Sequence, residues 1–431
     1  MAKVQHPNQF NPNPGTVLLK FFRGNPEPAI VDITGLVTEI NLYEDIRTPY
    51  LTGTVHVIDS ANVLSMNVGG TEECEITVSN GEYPVTKNFV VWQVTDHTRS
   101  KDGNTVQYVL HLMEVQGYKN NFTYVSRAYN NNHTEIIRSI FSNYLDTIIE
   151  DNEQAFQKSS LIVPNMRPLE AVQWVLGNTT TSDGHPFFVY STLKEGVQLR
   201  SLNTLYDTDN HLPFRFYMLP EARFDFDINS RQILTHTPAS NERLVEAGRA
   251  GLFNSEHYII DPYSGTIRPY TYNHSDEQRK ALGAEKLPYD KDYSTLQSSK
   301  MYMSSVSTSG SFGIDAGINE ESDITDHKKS LNAAADKFFL NYQSSHIVIN
   351  GYHMLAYDIN TSIGRVIDIN IPKPSPLVTQ SEASDVSDEK YSGKFLVTNV
   401  RHKFNIPQNN YVAALTCKRT LSVGDDAPVQ G

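Results

Sequence analysis

Cysteine is nearly absent: the chain of 431 residues holds only Cys74 and Cys417. That excludes a disulfide scaffold and a metal site made from cysteine alone. Long apolar runs are also missing. No stretch approaches the roughly 20 residues a membrane helix needs, and MAKVQHPNQFNPNPG at the start has no apolar signal core. Membrane insertion is therefore not expected, and synthesis and assembly in the cytosol are. Basic side chains are in deficit, 36 against 49 acidic ones, for a formal net charge of −13. That argues against a dedicated nucleic-acid binder, which needs a basic stripe. Catalytic signatures are lacking too: there is no His-Glu-x-x-His, no GxGxxG, no glycine-rich phosphate loop ending in lysine and no GxSxG elbow. Cys74 has His56 and His97 within sequence reach but sits mid-strand among apolar neighbours, so it reads as core rather than nucleophile. Asp225 and Asp227 alternate on a strand without the six-oxygen loop that calcium requires. The sequence predicts no enzyme, no cofactor and no metal.

What the sequence does contain is a repetition. Asn88 to Glu114, NFVVWQVTDHTRSKDGNTVQYVLHLME, has a counterpart in Lys394 to Arg419, KFLVTNVRHKFNIPQNNYVAALTCKR. Phe89 falls on Phe395, Val91 on Val397, Val94 on Val400, Tyr108 on Tyr411 and, after a one-residue slip, His97 on His402. Each copy is a β-branched and aromatic run, a polar turn and a second run, which is the pattern of a hairpin. The preceding strands match as well: CEITVS from Cys74 and VIDINIP from Val366 both alternate apolar and polar residues. Trp92 and Trp174 read as core anchors of a hairpin and of a helix.

The predicted fold class is mainly β, with two tube-like antiparallel β-barrel domains related by internal duplication and an α+β middle module. Residues 1–126 form the first barrel domain with an extended N-terminal arm. Residues 127–222 form the module of two helices and a hairpin. Here a helix over about Thr134 to Glu150 carries the stripe Ile136, Ile137, Ile140, Phe141, Tyr144, Leu145, Ile148 and Ile149, and a second runs from Pro168 to Gly177. Residues 223–424 form the second barrel domain, which includes the strand FDFDIN from Phe224 and a helix from about Thr325 to Tyr342. That domain carries a loop-rich peripheral insert at about 272–326 and a mobile loop at 372–390, with a tail at 425–431.

The duplicated barrel, the helix–helix–hairpin module between the copies and ITGLVTEINLYEDIRTPYLTGTVHVIDSANVL near the start resemble the baseplate hub proteins of contractile-tailed bacteriophages. They also resemble the hub half of type VI secretion spike proteins. The resemblance spans roughly residues 16–421. It implies a homotrimeric virion structural protein whose six barrels make a pseudo-sixfold ring, adapting a sixfold tail tube to a threefold central spike. The implied partners are the spike, the tail tube or its initiator and neighbouring wedge proteins, with DNA only in transit through the channel. The implied location is the tail baseplate, assembled in the host cytoplasm. On that reading the polar faces of the barrel strands are candidates for lining the lumen: Thr52, Thr54, Glu75, Thr77, Asp368 and Asn370. Acidic or neutral groups there let DNA pass without holding it. Two further readings are a surface adhesin or receptor-binding tail protein, suggested by the tyrosine-rich stretch from Tyr263 to Tyr302, and a wall-degrading enzyme.

Overall fold

The computed structural model describes residues 15–21, 28–63, 68, 72–79, 84–101, 103–218, 229–240, 244–251, 254–261, 266–273, 301–305, 320–340, 343–355, 362–373, 387–388 and 391–419. The N-terminal arm, the strand from Phe224 with Asp225 and Asp227, most of the 272–326 insert, most of the 372–390 loop and the tail lie outside the described residues.

Strand alternation in the sequence becomes a sheet with one apolar and one polar face. In β4 (Thr52–Asp59), Gly53, Val55 and Val57 are buried while Thr52, Thr54 and His56 remain partly exposed. In β5 (Glu73–Ser79), Cys74, Ile76 and Val78 are buried between the partly exposed Glu73, Glu75 and Thr77. The same rule holds in β1 (Thr16–Phe21), with Val17, Leu19 and Phe21 buried. The first copy also contains β2 (Ala29–Asp32), β3 (Val37–Asp45), β6 (Pro84–Arg99), in which no residue beyond Val91 is buried, and β7 (Val106–Glu114). The second copy is built from β12 (His211–Tyr217), β13 (Ile233–Ser240), β17 (Gln343–Asn350), β18 (Val366–Asn370), β19 (Gly393–Asn405) and β20 (Asn410–Arg419).

The two copies agree strand for strand. The first runs β3-β4-β7-β6-β5-β1 and the second β13-β17-β20-β19-β18-β12. Register agrees as well: Cys74 pairs with Phe89 as Ile367 does with Phe395, and Val55 with Leu110 as Ile347 does with Leu415. The irregularities also recur. The ladder skips Trp92 in β6 and Thr398 in β19, and it skips Thr38 in β3 and Leu234 in β13. Bulges re-aim side chains at set positions, so shared bulges are stronger evidence of duplication than shared hydrophobicity. The copies differ in their outer strand: β1 runs antiparallel to β5, whereas β12, arriving from the middle module, runs parallel to β18.

Three sequence expectations need correction. Asp96 and His97 together oppose one residue of β7, with Asp96 at φ 58°. This extra residue is the one-residue slip, and it puts Tyr108 in the register of Ala413, two places from Tyr411. Trp92 and Trp174 are each 44% exposed rather than core, Trp92 because it is the bulged residue and Trp174 because it lies on the outer face of its helix. The first module helix spans only His133–Tyr144, since Asp146 turns left-handed at φ 50° and ends it, leaving Ile148 exposed.

The module is fastened to the sheet through β10 (Phe187–Thr192), which pairs with β11 (Gly196–Ser201) and is buried along its whole length. Phe188 and Tyr190 join the main core, while Phe187 and Val189 join a second core under the helices His133–Tyr144 and Pro168–Gly177. The helix Pro168–Gly177 is as predicted, with Leu169, Val172 and Val175 buried. A hairpin, β8 (Val125–Asn132) with β9 (Lys158–Met166), completes the module. The second copy also carries a three-stranded sheet of β14 (Asn254–Asp261), β15 (Thr266–Asn273) and β16 (Met301–Ser305), together with a helix over Glu320–Phe339 that begins earlier than expected.

Candidate assembly site

The two copies are joined into one continuous sheet by a seam between β3 and β19. It runs antiparallel from Asn399 opposite Asp45 to Asn405 opposite Glu39. The side chains of the seam divide by face. On the polar face, Lys403 Nζ lies 3.0 Å from Glu39 and Arg401 donates two hydrogen bonds to Asn41 Oδ1, at 3.0 and 2.9 Å. Further along, Asn399 Nδ2 donates to Asp45 at 2.6 Å. Burial pushes the Glu39 carboxyl up, but the Asn41 amide and the Lys403 ammonium outweigh it and hold its pKa below the ordinary value.

On the core face the seam holds charge without solvent. Glu44 is buried and accepts hydrogen bonds from Leu193 N–H at 2.6 Å and from Ser362 Oγ at 2.6 Å. His402, buried beside it, shares a 2.8 Å hydrogen bond between its Nδ1 and the Tyr411 hydroxyl. Burial raises the Glu44 pKa, yet His402, Ser362 and the Leu193 amide together leave it below its ordinary value. A buried carboxylate is tolerated only when paired and hydrogen-bonded. Glu44 meets that condition with groups from both copies and the middle module, so all three meet at one residue. Glu114 does comparable work nearby, accepting from Leu51 N–H and from Ser191 Oγ, each at 2.9 Å.

The six candidate residues named from the sequence all lie on the face opposite the core. Thr52 shares a cross-strand row with Met113, Val90 and Glu73, which puts it on the same face as Glu75 and Thr77, three strands away. Thr54 accepts a 3.3 Å hydrogen bond from Asn41, and the Thr77 and Thr86 hydroxyls are 2.9 Å apart. Asp368 and Asn370 hold the equivalent places in the second copy. Lys20 pairs with Glu75 at 2.6 Å in one copy, and Arg215 pairs with Asp368 at 2.6 Å in the other. Sequence reading missed Glu39, Asn41, Arg401 and Lys403, although strict alternation in VTEINLYED and in NVRHKFN marks them. Nor is the face simply acidic or neutral as expected, because its acids are matched by Arg215, Arg401 and Lys403. Where β3, β4, β13, β17, β19 and β20 converge, this face is hollowed by a groove of about 540 Å³ lined by residues including Tyr43, Asp45, Thr52, Thr237, His346 and Arg401.

Among the described residues no three potential metal ligands come together, and no helix is long and apolar enough to cross a membrane. Cys74 and Cys417 are buried, and burial pushes the Cys74 thiol up to about 12.

No protein-family model matches the chain, and no curated protein matches it by sequence. Solved structures do match by fold. A tail protein from Neisseria meningitidis aligns with TM-score 0.53 at 10% identity over 94% of this chain and 96% of its own. The 43 kDa tail protein of prophage MuSo2 from Shewanella oneidensis aligns with TM-score 0.51 at 10% identity over 94% and 97%. A component of the type VI secretion system from E. coli aligns at TM-score 0.46 and 9% identity, over 94% and 77%. The chain therefore shares the overall fold of the Neisseria and MuSo2 tail proteins along nearly its whole length.

Proposed function

We propose that this chain is a non-enzymatic structural hub of a contractile phage tail, three copies of which form a pseudo-sixfold ring between a sixfold tube and a threefold central spike. The observation that carries the reading is the side-by-side placement, in one continuous sheet, of two units with the same strand order and two shared bulges. A threefold body meets a sixfold one without mismatch when each subunit presents two equivalent surfaces, and a duplicated unit in one chain supplies them. On this reading the units are those expected at residues 1–126 and 223–424, the second also taking β12 from the end of the 127–222 module, whose remainder lies on the periphery. The hollowed polar face, with Thr52, Thr54, Glu75, Thr77, Asp368 and Asn370, then lines a channel for DNA in transit. Three of its acids face a base, Glu39 with Lys403, Glu75 with Lys20 and Asp368 with Arg215, which suits passage without retention. The fold match over 94% of the chain to two tail proteins, one of them from a prophage, supports placement in a virion tail.

Light scattering on the purified chain tests the reading. A particle of three times the 48.5 kDa chain mass is expected. A monomer across the micromolar range contradicts it and favours a receptor-binding tail protein with no adaptor role.

A further inference from the structure

The seam that joins the two copies within one chain leaves two equivalent edges open. By strand order, β13 is to the second copy what β3 is to the first, and β6 is to the first what β19 is to the second. In the seam, β3 lies along the second half of β19. The corresponding half of β6, from Gln93 to Arg99, is paired only with β7 among the described residues, and β13 is paired only with β17 apart from a single bridge. Resting on the hub reading, we propose that β13 of one protomer adds antiparallel to Gln93–Arg99 of the next, with the register of the β3–β19 seam. Carrying that register across places Ala239 opposite Thr95 and Thr237 opposite Thr98, with the bulged pair Asp96–His97 together opposite Pro238, where the intrachain seam has Tyr43 opposite Arg401, Leu42 opposite His402 and Asn41 opposite Lys403.

The chemistry of the edges selects this partner. The intrachain seam is charged on both sides, Glu39 and Asp45 facing Arg401 and Lys403. Where Glu39, Arg401 and Lys403 fall, the open edges carry threonine instead, Thr235 on β13 and Thr95 and Thr98 on β6; the charges β6 does carry here, Asp96 and Arg99, stand at the bulge and at the place of Phe404. Threonines facing each other across strands pair favourably, whereas either open edge set against a charged one would leave an unmatched charge in a ladder. An open edge is otherwise a template for uncontrolled pairing. Repeated head to tail, the contact closes when its rotation repeats that of the intrachain seam. Two features make the interchain seam the weaker one: Pro238 brings no N–H where Leu42 does, and no histidine–carboxylate pair is buried there, since Ser240 stands in the place of Glu44.

Disulfide trapping tests the register. Directly opposed residues of an antiparallel pair have Cα atoms roughly 4.5–5.5 Å apart, within disulfide reach. Under mild oxidation the double variant Thr95→Cys/Ala239→Cys is expected to run as a covalent trimer on a non-reducing gel. Neither single variant should, nor should Thr95→Cys/Thr235→Cys, which is displaced four residues along the same face. As a check that needs no substitution, backbone amides of Gln93–Arg99 and Ile233–Ser240 should exchange with deuterium more slowly in the assembled protein than after dilution to monomers. A trimer by light scattering with no trapping at Thr95/Ala239 and no amide protection overturns this inference and leaves the hub reading standing. A monomer overturns both.

Discussion

His402 Nε2 stands 3.5 Å from a carboxylate oxygen of Glu44, and both side chains are 1% exposed. The two residues come from opposite ends of the chain, and their contact closes the seam from the core side. Removing one partner of a buried pair strands the other and costs far more than breaking a surface bridge. Glu44→Gln is therefore expected to lower unfolding stability by roughly 3 kcal/mol at pH 7. Because the folded Glu44 pKa is depressed, its stabilising contribution is present above the usual carboxylate pKa and is lost as pH falls through the folded one. Urea midpoints of the two proteins should converge in acid. An equal gap at pH 7 and at low pH contradicts the pairing.

Gly351 lies against the ring of Tyr411, and a Cβ there would come 2.3 Å from Cδ1. Tyr411 is buried and held by His402, so it cannot swing away. Gly351→Ala should cost about 1–3 kcal/mol by overpacking. Gly35→Ala, whose Cβ meets nothing within 4 Å, should change stability by less than about 0.5 kcal/mol. Thermal melts of the two variants side by side check the contrast.

How much of this was legible in the sequence follows from range. The duplication was visible because a hairpin writes itself in local alternation, and CEITVS and VIDINIP gave the next strand. The seam was not, because Asn399 and Asp45 bond across 354 positions and nothing local in either strand names the other. Tyr108 lies two places from Tyr411 even with the extra residue at Asp96–His97 counted, because an aromatic in an apolar run does not by itself fix register. The tryptophans were misplaced for a related reason, since a bulge turns the face of one residue and a helix pattern does not say which apolar residue is surplus. The polar-face residues were half found: alternation gave Thr52, Glu75 and Asp368, and the same rule applied to β3 and β19 gives Glu39 and Arg401.

Cys74 in β5 and Cys417 in β20 are core residues, and burial pushes both thiols up, Cys74 to about 12. The thiolate is the reactive species, so neither should react with an aromatic disulfide reagent in the native protein. Both should react after unfolding in denaturant. Rapid labelling of the native protein would contradict the described core.

Glu75 and Asp368 each neutralise a base, Lys20 and Arg215, on the polar face. If that face lines a DNA channel, Glu75→Lys/Asp368→Lys should make the assembled protein retain DNA, with binding that weakens steeply as salt rises. The wild-type protein should show none at the same ionic strength. Filter binding across a salt series measures both. Unchanged behaviour of the assembled variant places these residues away from the channel.

The central claim is that one chain carries two equivalent units and that three chains make six. An electron-microscope class average of the purified assembly viewed along its axis tests it most directly. The account predicts a ring of six similar lobes around an open hole, with three peripheral densities from the middle modules. Three lobes without pseudo-sixfold repetition, or a particle with no central opening, would contradict it.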